Sequence, residues 1–142
     1  MPLLSFSKRL VDRVASGQKR QTVRTARRRA FKIGDTLYLY ANVYQPTQWL
    51  IGCATCTAVH HVYITPHAVA IDHFVQMPAE REAFAIADGM EGWADFVDYF
   101  ECYSALPFSG VLLKWERLWT PTERQQASAY PETVNGQSLT TE

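Results

Sequence analysis

Residues 33–43, IGDTLYLYANV, combine a turn with a strand pattern and decide the class of fold. Ile33-Gly34-Asp35 is predicted to form the turn. After it, apolar and polar side chains alternate, which predicts a strand with one face toward a core. The apolar positions are Leu37, Leu39 and Ala41, and the alternate positions are Thr36, Tyr38 and Tyr40. The fold is therefore expected to be built on a sheet.

Strand patterns continue on both sides of this segment. Residues 20–24 predict a short strand in which Thr22 and Arg24 share a face. The segment from Trp49 to about Ile64 is rich in β-branched residues and predicts one long strand, with a bulge or a close backbone approach at Gly52. Two further strands are expected, at about residues 67–71 and from 108 to about 118.

Three helices are predicted around these strands. Residues 7–15 form an amphipathic pattern that Gly17 ends. Pro78 suits the first position of a second helix, which is expected to stop at Asp88-Gly89. The third has aromatic and apolar residues at helical spacing, namely Trp93, Phe96, Val97 and Phe100. This order of elements predicts an α+β protein with a small, mostly antiparallel, barrel-like sheet and helices at its rim.

The composition predicts one domain. The chain has 142 residues, of which 47% are hydrophobic, enough for a single core. Residues 1–119 carry the strand and helix patterns, whereas residues 120–142 lack any period and are predicted to form a flexible polar tail. No apolar run reaches the length of a membrane span, and the N-terminal apolar stretch is too short for a secretory signal. Three cysteines fit a reducing compartment, so a cytoplasmic location without a membrane partner is expected.

The net charge is zero, but the charges are unevenly distributed. Residues 8–32 hold ten of the fourteen lysines and arginines, with Asp12 as their sole acid. Residues 72–101 hold eight acids and the single base Arg81. Two arrangements are open: the basic third presents a positive face to an anion, or the two thirds pack together and neutralise each other.

Residues 17–24, GQKRQTVR, place Lys19, Thr22 and Arg24 close together. A threonine hydroxyl needs a neighbouring base to act as a nucleophile, and lysine can be that base if burial or nearby cations lower its pKa. The ordinary alternative is a solvated lysine followed by a threonine that simply favours a strand.

Four segments together resemble an ASCH domain, a member of the PUA-like superfamily of small β-barrels. They are GQKRQTVR at 17–24, FKIGDTLYLY at 31–40, FAIADGM at 84–90 and GVLLKW at 110–115. The resemblance covers about residues 3–118 and implies binding of RNA or of a modified nucleoside in a cleft. Some ASCH proteins remove the acetyl group from N4-acetylcytidine with a lysine, a threonine three residues later and a distant glutamate. Lys19 and Thr22 match the first two positions, and the acidic position falls on Asp88, one methylene shorter.

The resemblance implies a catalytic scheme for these residues. Lys19 deprotonates Thr22, which attacks an amide carbonyl, and Asp88 moves the proton to the leaving amine. Arg24 orients the substrate or stabilises the oxyanion. The rival functions are a non-catalytic RNA-binding module and a metal-assisted single-strand ribonuclease that uses Asp88 and nearby carboxylates.

A basic loop is the predicted contact surface for RNA. Guanidinium groups suit phosphate contacts, and neighbouring tyrosines suit base stacking. The candidate residues are Arg20, Arg27, Arg28 and Arg29 for phosphate, with Tyr38, Tyr40 and Tyr44 for bases. The alternative is a solvated basic loop.

Cys53-x-x-Cys56, followed by His60 and His61, invites comparison with a zinc site. In a strand, positions 53 and 56 point to opposite faces, and no second cysteine pair follows. The spacing therefore argues against zinc, and neither a metal nor another cofactor is expected.

Overall fold

The computed structural model describes residues 3–43 and 45–120. The strands and helices follow one another in the order β1 (Leu3–Phe6), α1 (Lys8–Ala15), β2 (Gln21–Arg24), β3 (Thr36–Ala41), β4 (Trp49–Thr55), β5 (Ala58–Thr65), β6 (Ala68–Ile71), β7 (Phe74–Val75), α2 (Pro78–Ala87), α3 (Trp93–Glu101) and β8 (Phe108–Lys114). The predicted α+β class is confirmed. The predicted polar tail lies, apart from Thr120, outside the described residues.

The strands form two sheets. The smaller has the order β1-β3-β4 and the larger the order β2-β8-β5-β6-β7. β1 pairs with β3 in parallel, and the other strand pairs of the described residues are antiparallel. The mostly antiparallel character is therefore confirmed. Over residues 3–43 and 45–120, strand pairing does not close the two sheets on each other, so the predicted barrel is not confirmed.

The single long strand predicted over residues 49–64 is wrong. The chain forms β4 in the smaller sheet and β5 in the larger one. The backbone changes partners at Cys56 and Thr57: the Cys56 N–H donates to the carbonyl of Asp35 at 2.8 Å, whereas the Thr57 N–H donates to that of Lys114 at 2.8 Å. A continuous β-rich sequence cannot reveal this change, because both halves favour a strand equally.

Gly52 lies at a bulge, as predicted. Leu39 pairs with Gly52 but the next residue, Tyr40, pairs with Leu50, so β4 carries one extra residue. A Cβ at Gly52 would also lie 3.3 Å from the Cβ of Leu118, so the chain approaches closely there as well.

The sequence patterns missed two strands and misplaced one strand end. β1 and β7 have four and two residues, too few to show a period. The last strand ends at Lys114 rather than near residue 118. Beyond it the chain crosses to the other sheet, where Trp119 exchanges two backbone hydrogen bonds with Cys53, at 2.7 and 2.8 Å.

One hydrophobic core joins both sheets and all three helices. The helices contribute Leu10 and Val14 from α1, Phe84 and Ala85 from α2, and Trp93 and Phe96 from α3. Trp93 and Trp115 are both buried in this core. The longest of the described helices, α2, has ten residues, and none of the three is long and apolar enough to cross a membrane.

The basic and acidic thirds of the chain meet in three ion pairs. Arg9 pairs with Asp95, Arg13 with Glu91 at 3.0 Å and Lys19 with Asp88 at 3.3 Å. The two thirds therefore neutralise each other in part.

Candidate functional site

A cavity of about 730 Å³ opens where β1, β2, α3 and the end of α2 meet. Four of the residues singled out from the sequence line it, namely Lys19, Thr22, Arg24 and Asp88. Lys19 and Asp88 are 69 positions apart in the chain. The fold therefore brings an amine, a hydroxyl, a guanidinium and a carboxylate to one cavity.

Local structure explains the placement of the basic side of the site. Helix α1 ends at Ala15, and Gly17 turns the chain with a φ of +85°. The Lys19 N–H donates to the carbonyl of Arg13 at 2.9 Å, which holds the segment against the helix. Thr22 and Arg24 follow in β2, two residues apart, and so share a face.

Asp88 is placed by the end of α2. It caps the helix and donates its N–H to the carbonyl of Phe84 at 3.0 Å. Gly89 follows with a φ of +101°, in the left-handed region that glycine adopts without strain. A Cβ there would lie 2.9 Å from Leu10 and 3.2 Å from the Lys19 side chain. A glycine at this position therefore lets the helix end approach Lys19.

Lys19 and Asp88 form a buried pair. The Lys19 Nζ donates to the backbone oxygen of Asp88 at 2.6 Å and lies 3.3 Å from its Oδ1. Their side chains are 1% and 8% exposed. Removing both groups from water penalises their charged forms, and the mutual attraction opposes this penalty.

Burial governs the protonation of both partners. Desolvation lowers the pKa of Lys19 from its ordinary value, and the charge of nearby Arg24 lowers it further, against the attraction of Asp88. Desolvation likewise raises the pKa of Asp88, against the opposing effects of Lys19, Gln21 and Arg24. The two pKa values thus move toward each other, which favours exchange of a proton between the groups.

Thr22 is buried and contacts Arg24. The Nε of Arg24 donates to the Thr22 Oγ1 at 3.1 Å, while one of its terminal nitrogens donates to the carbonyl of Ser5 at 2.8 Å. Among the described residues, no hydrogen bond joins Lys19 to Thr22. The hydroxyl therefore faces a guanidinium that would stabilise negative charge on its oxygen.

Sequence reasoning missed two residues beside the buried Lys19–Asp88 pair. Gln21 is buried, and its Nε2 lies 3.5 Å from both Asp88 Oδ1 and the Phe84 carbonyl. Phe6 ends β1, just before the first helix, and its ring lies 4.9 Å from the Arg24 guanidinium and 5.8 Å from the Lys19 Nζ. Neither carried a signal, because a glutamine in a strand and a phenylalanine before a helix are ordinary.

The predicted RNA-contact residues do not line this cavity. Arg28 and Arg29 are exposed, and the guanidinium of Arg27 lies 4.1 Å from the ring of Phe31. Arg20 is exposed and borders a separate cavity of about 310 Å³. Tyr40 is half-buried in β3, where desolvation raises the pKa of its hydroxyl.

Of the other two tyrosines proposed for stacking, Tyr38 is buried, and Tyr44 lies outside the described residues. The cavity is thus lined by Arg24 and Thr25 but not by the arginines proposed to contact phosphate.

The cysteines and histidines do not gather into a metal site. Cys53 and Cys56 are both buried, and the Cys56 thiol donates to the carbonyl of Ala58. His60 pairs with Asp72 at 2.6 Å, and His61 with Ser109 at 3.1 Å. Within residues 3–43 and 45–120, no group of three or more His, Cys, Asp or Glu side chains is placed to hold a metal ion.

The arrangement suits acyl transfer to a hydroxyl. In such a reaction Thr22 would supply the hydroxyl, Lys19 and Asp88 would relay a proton, and Arg24 would place a positive charge beside a developing oxyanion. No family model matches the chain, and no curated protein or solved structure matches it either.

Proposed function

We propose that this protein is an ASCH-type hydrolase that removes the acyl group from an N-acylated nucleoside such as N4-acetylcytidine. The main support for this proposal is the buried Lys19–Asp88 pair beside Thr22, whose hydroxyl oxygen accepts a hydrogen bond from Arg24. Strongly perturbed, paired titratable groups in a cleft are typical of functional sites. The cavity volume of about 730 Å³ also falls within the range of roughly 300–1,000 Å³ that small-molecule sites occupy.

In the first step, neutral Lys19 accepts the proton of Thr22 while Oγ1 attacks the amide carbon. The new C–O bond places negative charge on the former carbonyl oxygen, which Arg24 stabilises. The lowered pKa of Lys19 increases the neutral fraction of its amine at neutral pH, as a general base requires.

The second step breaks the C–N bond. The oxyanion reforms its C=O bond, and the leaving amine takes the proton that Thr22 lost. Asp88 passes this proton on, since its Oδ1 lies 3.3 Å from the Lys19 Nζ. Water then attacks the acyl-threonine ester and yields the carboxylic acid and the original hydroxyl.

The decisive test measures release of cytidine from N4-acetylcytidine by four variants. Thr22→Ala and Lys19→Met should each lower kcat/KM by about 10²–10⁴-fold, the usual contribution of a positioned proton-transfer group or its nucleophile. Thr22→Ser retains the hydroxyl and should keep measurable activity. Lys32→Met removes an exposed lysine outside the cavity and should behave like the wild type.

Wild-type turnover by a correctly folded Thr22→Ala variant would contradict the proposed nucleophile. Circular dichroism of each variant checks the fold, because Lys19 and Thr22 are buried.

A non-catalytic RNA-binding role is the second candidate. The exposed Arg28 and Arg29 support it, since guanidinium groups outside the cavity suit contacts with phosphate. The metal-assisted ribonuclease has less support: the Asp88 carboxylate contacts Lys19 and Gln21, and the described residues hold no cluster of metal-ligating groups beside it.

A further inference from the structure

Tyr103 combines high exposure with a place in the wall of the cavity. It follows α3 and is 69% exposed, yet it lines the same cavity as Lys19 and Thr22. Among the other described aromatic side chains, Phe74 is similarly exposed, at 74%, and it does not line that cavity. An exposed aromatic ring at a cavity wall offers apolar area to a ligand.

Arg24 and Tyr99 connect the buried part of the site to Tyr103. Both residues line the same cavity. Tyr99 is half-buried, and its hydroxyl is hydrogen-bonded to that of Ser7. The rings of Tyr99 and Tyr103 are 4.8 Å apart with an angle of 44° between their planes. A substrate whose amide reaches Thr22 and Arg24 would thus extend along Tyr99 toward Tyr103.

We infer that Tyr103 stacks on the heterocyclic ring of the substrate and so selects nucleobase amides over acyclic amides. This inference rests on the proposed function and deepens it by assigning the specificity to one residue. Tyr99 supports the ring of Tyr103 from one side, and the large exposed area of Tyr103 leaves surface for a base. Aromatic side chains bind bases in this way with little dependence on base identity.

Equilibrium binding of cytidine, measured by calorimetry, tests the stacking without relying on turnover. Tyr103→Ala should weaken the affinity by at least about fivefold, the lower end of what loss of one stacked base costs. Tyr103→Phe keeps a ring and should bind like the wild type. Phe74→Ala removes a similarly exposed ring from β7 and should leave the affinity unchanged.

Kinetics then test the selection. Tyr103→Ala should raise KM for N4-acetylcytidine by a similar factor with little change in kcat, and leave kcat/KM for the acyclic amide N-acetylbutylamine unchanged. Equal losses on both substrates would overturn the inference, because they would indicate a general disturbance of the site.

The two proposals fail in different ways. If Tyr103→Ala binds cytidine like the wild type, or the wild type does not bind cytidine, the stacking inference is wrong whatever Thr22→Ala does. If cytidine binding depends on Tyr103 but no acylated nucleoside is hydrolysed, the stacking inference stands and the hydrolase proposal fails.

Discussion

Buried charge is the defining feature of the site at the scale of single residues. Lys19 and Asp88 share an environment from which water is almost excluded, with side-chain exposures of 1% and 8%. Pairs of this kind often contribute little to stability, because desolvation offsets their attraction. A fold keeps such a pair for another reason, and here the shared cavity with Thr22 supplies one.

The pH dependence of stability should reveal whether burial or pairing with Lys19 dominates the pKa of Asp88. Its pKa is raised above the ordinary value of 3.8, so the folded protein binds this proton more tightly than the unfolded chain does. The stability due to that proton is present below about pH 3.8 and is lost as the pH rises through the raised pKa. We therefore expect the wild type to lose unfolding free energy relative to Asp88→Asn over that interval, measured by urea denaturation.

Asp95 provides the opposite case for comparison. Its pKa is lowered by hydrogen bonds from the Glu91 N–H and from Arg9. The advantage of the wild type over Asp95→Asn should be present above about pH 3.8 and should vanish as the pH falls through the lowered pKa. The same sign of pH dependence at both positions would show that pairing with Lys19, rather than burial, controls Asp88.

At the scale of elements, the end of α2 sets the geometry of the site. The helix stops at Ala87, Asp88 caps it, and Gly89 reverses the chain beside α1. Arg13 of α1 donates to the Gly89 carbonyl at 2.6 Å and so joins the two helices at this point. The carboxylate is therefore positioned by a helix end rather than by a loop.

Gly89→Ala should damage both stability and activity, and Gly34→Ala is its matched control. Both glycines have left-handed φ values, +101° and +97°, so alanine costs roughly 1–2 kcal/mol of backbone strain at each. At Gly89 the new Cβ would also meet Leu10 at 2.9 Å and Lys19 at 3.2 Å, whereas at Gly34 nothing lies within 4 Å. Urea denaturation should therefore show an extra loss of about 1–3 kcal/mol for Gly89→Ala.

Activity separates the two glycine variants further. Gly89→Ala displaces the Lys19 side chain and should lower kcat/KM for N4-acetylcytidine, whereas Gly34→Ala should not. Equal stability losses and unchanged activity in both variants would show that the end of α2 can move away from Lys19 without harm to the fold or the site.

At the scale of the whole molecule, part of the positive charge is paired with acids, and another part lies on an exposed loop. Arg9, Arg13 and Lys19 pair with acids of the 88–95 segment, whereas Arg28 and Arg29 remain exposed outside the cavity. The zero net charge thus conceals a partly neutralised helix interface and a separate basic loop.

Arg28→Ala should weaken binding of single-stranded RNA without changing nucleoside turnover. Each phosphate contact that is lost should reduce the slope of log affinity against log salt by about 0.7. Arg117→Ala removes the same charge from an exposed position beyond β8 and should leave that slope unchanged. Equal effects of both substitutions would contradict a specific contact at the loop.

The sequence alone determined the local features of this protein. Period-two alternation placed Thr22 and Arg24 on one face, and helical spacing identified α3, because each pattern depends on neighbours within a few residues. The sequence did not show that β4 and β5 separate at Cys56. That separation depends on backbone hydrogen bonds to Asp35 and to Lys114, which are 79 positions apart in the chain (114 − 35).

Only the tertiary structure decided that Lys19 is buried against Asp88. A lysine is ordinarily solvated, and its burial depends on Phe6 from β1, Leu10 from α1 and the helix end at Gly89. Strand pairing within each sheet and packing of the helices on the shared core bring these groups together, and no pattern of adjacent residues encodes their approach. Desolvation, which moves both pKa values, therefore exists only in the folded chain.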